Sequence, residues 1–337
     1  MSFAFPSSAE LTLIAQEKTP RMVENRLGFT IMPFEESDNH LLEWEQMDNW
    51  TGLQAIRGLN GEPPRVKKVG SKKYLMSPGV YGEFSVLDEN DLTRRRRLGT
   101  FGTPIDVSDL VMAEQERLMG RRLDRQEQVI WALLASGTFS VAGEDGVVRV
   151  ADSYTTQTFT AGVTWATSAT AVPLANFRSV QLLSRGKGVS FGTDATAVMN
   201  RATFNSLMSN TNANDLFGRR PSGLGTIAGL ADVNRVLNME GLPSITIYDE
   251  GYLDDTGTFV LYVPNNKVVL VGKRTGGQRI GAFRLTRNAN NPDLGPGVYQ
   301  KVIDRGEEKV PRTIEVHDGM NGGPVIFYPG SIVIMTI

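Results

Sequence analysis

The chain has 337 residues, 40% of them hydrophobic and 21% charged, with a formal net charge of −2. That length permits one large or two modest domains with a sizeable core, and the near-neutral charge gives no overall pull toward nucleic acid or an acidic membrane surface. The absence of cysteine excludes disulfides, thiolate metal sites and a cysteine nucleophile together.

No segment approaches the ~18 consecutive apolar residues of a membrane span, and the first residues lack the basic-then-apolar order of a signal peptide. A soluble intracellular product is expected. The 35 glycines and 16 prolines predict many turns and extended segments.

Residues 1 to about 50 mix short apolar groups with Pro6, Pro20 and Pro33, and no period persists. Leu41, Leu42, Trp44, Met47 and Trp50 are too large and too closely spaced for this segment to bury alone. Either they cap their own domain, or the segment is an arm that buries Leu42, Trp44 and Trp50 on a neighbouring subunit. From Thr51 to Leu87 the chain becomes extended. Arg65–Val69 and Lys72–Met76 flank a Gly70-Ser71 turn, Ser77-Pro78-Gly79 interrupts, and Tyr81–Val86 alternates as a strand does. These arms are polar on both faces, so such a ribbon flaps in solvent or lies on another molecule. Its basic cluster (Arg65, Lys67, Lys68, Lys72, Lys73) has only Tyr74 available for stacking, which favours a solvated surface or one facing an acidic partner over a nucleic-acid site. Arg94–Arg97 cannot share one helical face and must diverge toward several anions.

Asp106 to Ser136 is predicted as one long helix. Met112, Met119, Leu123, Ile130 and Leu134 keep a single apolar stripe, Asp106 stands at the N-cap position, and Gly137 supplies the stop. The rod should be about 45 Å long. Its charged middle (Glu114, Glu116, Arg117, Arg121, Arg122, Asp124, Arg125, Glu127) predicts that only that stripe is buried. A hairpin follows (Phe139–Val141 with Val147–Val150), then Thr-rich extended chain from Tyr154 to Trp165.

The next part reads as α/β alternation. Helices are expected at Leu174–Leu183, Ala202–Met208 and Ala228–Met239, with strands at Thr196–Met199, Ser244–Tyr248, Phe259–Val263 and Lys267–Val271. The long polar loop from Ser209 to Gly225 carries Arg219 and Arg220; loops of such length are functional or disordered. Strands at Pro311–Val316, Val325–Tyr328 and Ile332–Ile337 close the chain, the last of them tied into a sheet.

No convergent reactive set emerges. Gly186-Lys-Gly188 and Thr275–Gly281 lack the strand-to-helix context of a phosphate cradle, and no G-x-S-x-G elbow is present. Asp254-Asp255 with Asp249 and Glu250 reads better as a solvated loop than as a cation site. His40 and His317 have no evident nucleophile partner. No catalytic residue, cofactor or metal is assigned.

The order of parts resembles the major capsid proteins of tailed bacteriophages, those with the HK97-type fold, and in particular the phage lambda major capsid protein E family. The residues carrying the resemblance are Lys73–Leu92, Arg94–Arg97, the helix running into Trp131-Ala-Leu-Leu-Ala-Ser-Gly-Thr-Phe139, Val268–Gly272, and Gly323–Ile337. The resemblance implies an α+β chain in five parts. These are an N-terminal arm (1–50), an extended E-loop and its return (51–105), a peripheral domain with a spine helix (106–172), an axial domain (173–300), and strands returning to the peripheral domain (301–337). It implies a structural protein that forms hexamers and pentamers, closing an icosahedral shell around double-stranded DNA held by non-specific contacts. The implied partners are a scaffolding protein, a portal and a decoration protein, with no membrane. The implied location is the virion, and the host bacterial cytoplasm during assembly. Arg219 and Arg220 become candidates for the axial loop. Two alternatives differ in kind: an encapsulin-like nanocompartment shell, and a two-domain α/β enzyme.

Overall fold

The computed structural model describes residues 10, 14, 18–19, 22–47, 53–66, 70–93, 107–142, 148–154, 156–213, 229–254, 256–274, 277–291, 294–306 and 310–337. Trp50, Lys67, Lys68, Arg94–Arg97, Asp106, Arg219 and Arg220 lie outside these residues.

The spine helix runs from Val107 to Ser136, 30 residues, or about 45 Å. Proline is absent from it, and Gly120 is its one glycine. It stops at Gly137, whose φ of +75° suits glycine and whose amide donates to the Leu133 carbonyl at 2.7 Å, the closing bond of a left-handed C-terminal cap. A side chain there would strike Thr156 Oγ1, 2.7 Å from an added Cβ.

In chain order the strands are β1 (Phe34–Glu36), β2 (Leu42–Met47), β3 (Ser71–Met76), β4 (Gly79–Leu87), β5 (Thr138–Ala142), β6 (Val148–Ser153), β7 (Gln157–Thr160), β8 (Val189–Ser190) and β9 (Thr196–Met199). There follow β10 (Ser244–Ile247), β11 (Gly251–Leu253), β12 (Phe259–Leu261), β13 (Lys267–Val271), β14 (Lys273–Arg274), β15 (Gly281–Leu285), β16 (Val298–Asp304), β17 (Ile314–Ile326) and β18 (Ile332–Thr336). One five-stranded sheet has the order β1-β15-β17-β16, with β4 also paired to β17; a second has the order β10-β9-β13-β18-β7. The spine helix packs on both.

The second sheet explains why the apolar runs at Val268–Val271 and Ile332–Met335 do not alternate with polar residues. Successive strand residues face opposite sides, and here both sides are covered. Val269, Ile332 and Ile334 join the core around the spine helix. Val268, Leu270, Val333 and Met335 face the other way, into a second core with Phe177, Phe204 and Leu237 from the helices Pro173–Leu182, Arg201–Ser209 and Leu230–Met239. Asn200 caps the middle helix, its side chain accepting from the Thr203 amide at 2.9 Å.

Three sequence expectations change. First, Arg122 and Glu127, predicted on the solvated face of the spine helix, are buried, as are Gln115 and Gln126, whereas Met112 of the predicted stripe is half-buried. Gln126 Nε2 donates to Met320 Sδ on β17, and the partners of the other three are described below. Second, β15, expected in the segment 173–300, pairs with β17, while β18, expected to return with β17, enters the second sheet. The doubly apolar β18 requires two covered faces, which that sheet provides. Third, the strands expected at Pro311–Val316 and Val325–Tyr328 are parts of one strand, β17, that runs through Gly319, Gly322 and Gly323. Those glycines give neighbours room: an added Cβ would lie 2.6 Å from the Tyr299 ring at 319, 2.4 Å from the Arg284 carbonyl oxygen at 322, and 2.9 Å from Leu42 Cδ1 at 323.

Candidate functional site: the subunit-contact surfaces

The extended ribbon is built differently from the sequence expectation. β3 pairs antiparallel with β2, from Leu42↔Met76 to Met47↔Ser71; residues 67–69, before the predicted Gly70-Ser71 turn, lie outside the described residues. Leu42 and Trp44 decide this register. Both are buried, at 0% and 6% exposure, in the chain's own core with Met76 and the spine-helix residues. Trp44 is stacked between Tyr74, at 5.3 Å and 9°, and Tyr154, at 5.7 Å and 22°. They therefore belong to the capping reading and are withdrawn as arm contacts on a neighbour: burying an indole and an isobutyl group within the subunit is worth several kcal/mol, and neither surface remains to be offered elsewhere.

The ribbon is pinned at its base. Arg284 of β15 bonds Glu35 at 3.0 Å and the Glu43 carbonyl oxygen at 2.5 Å, with its guanidinium over Phe327 at 5.2 Å. Lys73 pairs with Glu43 across the two strands, and that hydrogen bond raises the Lys73 ammonium above its ordinary value. Lys72, Lys73 and Arg65 are exposed, and Tyr74 shows its outer face.

Beyond the ribbon, residues 53–66 form neither helix nor strand. Leu53, Ile56 and Leu59 stand at 102%, 99% and 99% exposure, so they make no packing contact within the chain. Three large aliphatic groups thus stand fully in water, three residues apart. Their spacing was the available sequence signal, masked by the polar and glycine residues between them.

The spine-helix residues Met119, Leu123, Ile130 and Leu134 are all at or below 1% exposure, in the main core. Beside them lies a buried polar seam. Arg122 Nη1 donates to Asp318 Oδ2 at 2.6 Å, Gln300 Nε2 donates to the same oxygen at 2.9 Å, and Gln115 donates to Gln300. Burial pushes the Asp318 carboxyl up and the Arg122 guanidinium down, while their mutual attraction offsets both. One turn on, Glu127 Oε1 accepts from Tyr248 Oη at 2.6 Å, Trp131 Nε1 at 2.7 Å and the Gly28 amide at 2.8 Å. Burial pushes this carboxyl up. The seam thus ties the spine helix to β16, β17, the short helix Leu27–Ile31 and the end of β10.

The other candidates do not converge. His317 bonds Glu315 at 3.1 Å and stacks on Phe84 at 5.2 Å, and His40 is exposed elsewhere. Asp254 Oδ1 accepts from the Thr256 and Thr258 amides at 2.9 and 2.8 Å; the bond from the Thr256 hydroxyl is the largest cause holding its carboxyl below the usual range. Its carboxylate therefore serves the β11–β12 turn. Among the described residues no group of three His, Asp or Glu side chains is placed to hold a metal ion, and no helix is long and apolar enough to cross a membrane.

The model of the phage major capsid protein E family matches residues 12–304. No curated protein matches the chain. Among solved structures, the fold is similar to one from Mycobacterium phage Patience, at 14% identity over 100% of this chain and 93% of that one, with a TM-score of 0.52. It is also similar to a phage-related protein from Bordetella bronchiseptica RB50, at 7% identity over 96% of each chain, with a TM-score of 0.57. The capsid of a native GTA particle matches at 10% identity over 91% of this chain and 88% of that one, with a TM-score of 0.52. These likenesses are of fold, and the fold is the HK97-like one of phage capsids. The chain belongs to the phage major capsid protein E family: it is a structural head protein of the virion that builds a homo-oligomeric shell.

Proposed function

We propose that the chain closes an icosahedral shell of hexamers and pentamers around double-stranded DNA, and that the ribbon β2–β3 with its exposed extension is the reaching contact between subunits. The observation carrying this reading is the full exposure of Leu53, Ile56 and Leu59 on a segment with no core beneath it. Such a segment gains its stability on a neighbour, and a weak contact repeated around a closed shell adds up to a large one. Between the paired ends Met47 and Ser71 lie 23 residues, a length of chain whose midpoint reaches roughly 35–40 Å when extended, enough to cross onto an adjacent subunit. Scaffolding protein, portal and decoration protein are the assembly partners this reading implies, with assembly in the host bacterial cytoplasm. DNA is held inside by non-specific contacts, with no cofactor and no chemistry asked of the chain.

Sedimentation of the wild-type chain beside a variant in which residues 53–66 are replaced by a short glycine linker tests the ribbon's role. The wild type sediments as particles and the variant as folded small species. Normal particles from the variant would remove the ribbon from the assembly contact.

A further inference from the structure

We infer that the exposed segment 53–66 docks on the β11–β12 hairpin of a second copy of this chain. This rests on the shell reading above and adds the receiving surface.

The hairpin carries the complementary features. Leu253 and Phe259 are directly opposed across β11 and β12, and both are exposed, at 68% and 55%. They stand on one face of a two-stranded ribbon that packs on the spine helix by Tyr252 and Tyr262, whose rings are 5.8 Å apart. Beside the hairpin a cleft of about 490 Å³ opens between Ala132 of the spine helix, Tyr252, Leu261, Pro264 and Ile334, with Lys267 in its polar wall. Large aliphatic side chains would fill it.

Charge selects this surface over a second exposed apolar one. Residues 248–258 include four acidic side chains (Asp249, Glu250, Asp254, Asp255) and no basic one, whereas residues 53–68 include Arg57, Arg65, Lys67 and Lys68 against the single Glu62. Asp249 is engaged with Arg201 and Asp254 with its own turn, which leaves exposed Glu250, among the described residues, as the carboxylate that meets Arg57. The alternative surface is the outer face of β4, with Val80, Phe84 and Val86 exposed. It is bordered by charges of both signs, Glu315 with Arg305 bound to it at 3.2 Å. An opposed-sign pairing steers a loop to the first surface and offers it no preference on the second.

Because the chain has no cysteine, introduced thiols report contacts cleanly. Particles of Ile56→Cys/Leu253→Cys, mildly oxidised and run without reductant, should give a ladder of covalently linked chains, since a disulfide demands close Cα approach. Ile56→Cys/Phe84→Cys particles should stay monomeric on the same gel. Independently, Arg57→Glu and Glu250→Lys should each cut particle yield about tenfold, and the double variant should recover it, as a repeated charge contact requires. Normal particles without a ladder, a ladder only with Phe84→Cys, or no recovery in the double reversal would overturn the docking and leave the shell reading intact. Failure of the unmodified chain to form particles would overturn both.

Discussion

Arg122 of the spine helix and Asp318 of β17 form an ion pair of 2.6 Å in which the side chains are 6% and 3% exposed. The pair lies 196 positions apart in sequence and fixes the helix against the long strand. Removing one partner strands the other charge in the interior. Arg122→Ala should therefore lower the unfolding free energy of the subunit by about 3–5 kcal/mol, and Arg122→Met/Asp318→Leu by markedly less. Urea denaturation of both variants checks this; equal losses would show that the charge is not stranded.

Glu127 gives the fold a pH dependence whose sign follows from its position. Burial raises its pKa in the folded state, so the folded protein holds a proton that the unfolded chain releases. The stability this provides is full below the ordinary carboxylate value of about 4.3 and is lost as pH rises through the raised folded value. Glu127→Gln keeps the Oε1 acceptor for Tyr248, Trp131 and Gly28 while removing the charge. The variant should lose this component and gain relative to wild type as pH rises from about 5 to 8. Denaturation midpoints across that range check it, and parallel curves for the two proteins would refute it.

Ile130 and Leu134 are fully buried, and an aspartate at either position would put an unpaired charge in the main core. Either substitution should abolish folding, because several kcal/mol of desolvation exceeds the margin of an ordinary domain. Loss of soluble protein and of circular dichroism is expected; a soluble, monodisperse Ile130→Asp variant would refute the packing described.

Trp44 separates the two fates proposed for the N-terminal segment. Stacked between Tyr74 and Tyr154, it should cost the unassembled subunit about 3–5 kcal/mol on truncation to alanine. An unchanged subunit stability with lost assembly would return Trp44 to the neighbour's surface.

What was legible in the sequence follows from range. The spine helix was readable because its stripe, its interior without proline and its Gly137 stop are local. Lys267–Val271 and Ile332–Thr336 were readable as strands because both faces are apolar. The β2–β3 pairing was not, since its partners are separated by a long excursion and the nearby Gly70-Ser71 offered a more obvious turn. What wins is the burial of Leu42 and Trp44, a tertiary term. β17 was cut in two because Gly319, Gly322 and Gly323 look like breaks, although each marks a close approach of Tyr299, Arg284 or Leu42 that no single segment reveals. Arg122 and Glu127 look solvated for the same reason: the partners that make their burial tolerable, Asp318 and Tyr248, come from distant strands. Among the contact candidates, Lys72 and Lys73 were visible as charges. The apolar anchors Leu53, Ile56 and Leu59 stand out only once the fold shows that nothing covers them.

Electron microscopy of the purified chain, expressed alone and together with its neighbouring phage genes, tests the central claim most directly. The account predicts closed icosahedral shells, or sheets and tubes with hexameric units. A persistent monomer or dimer in both preparations would contradict it.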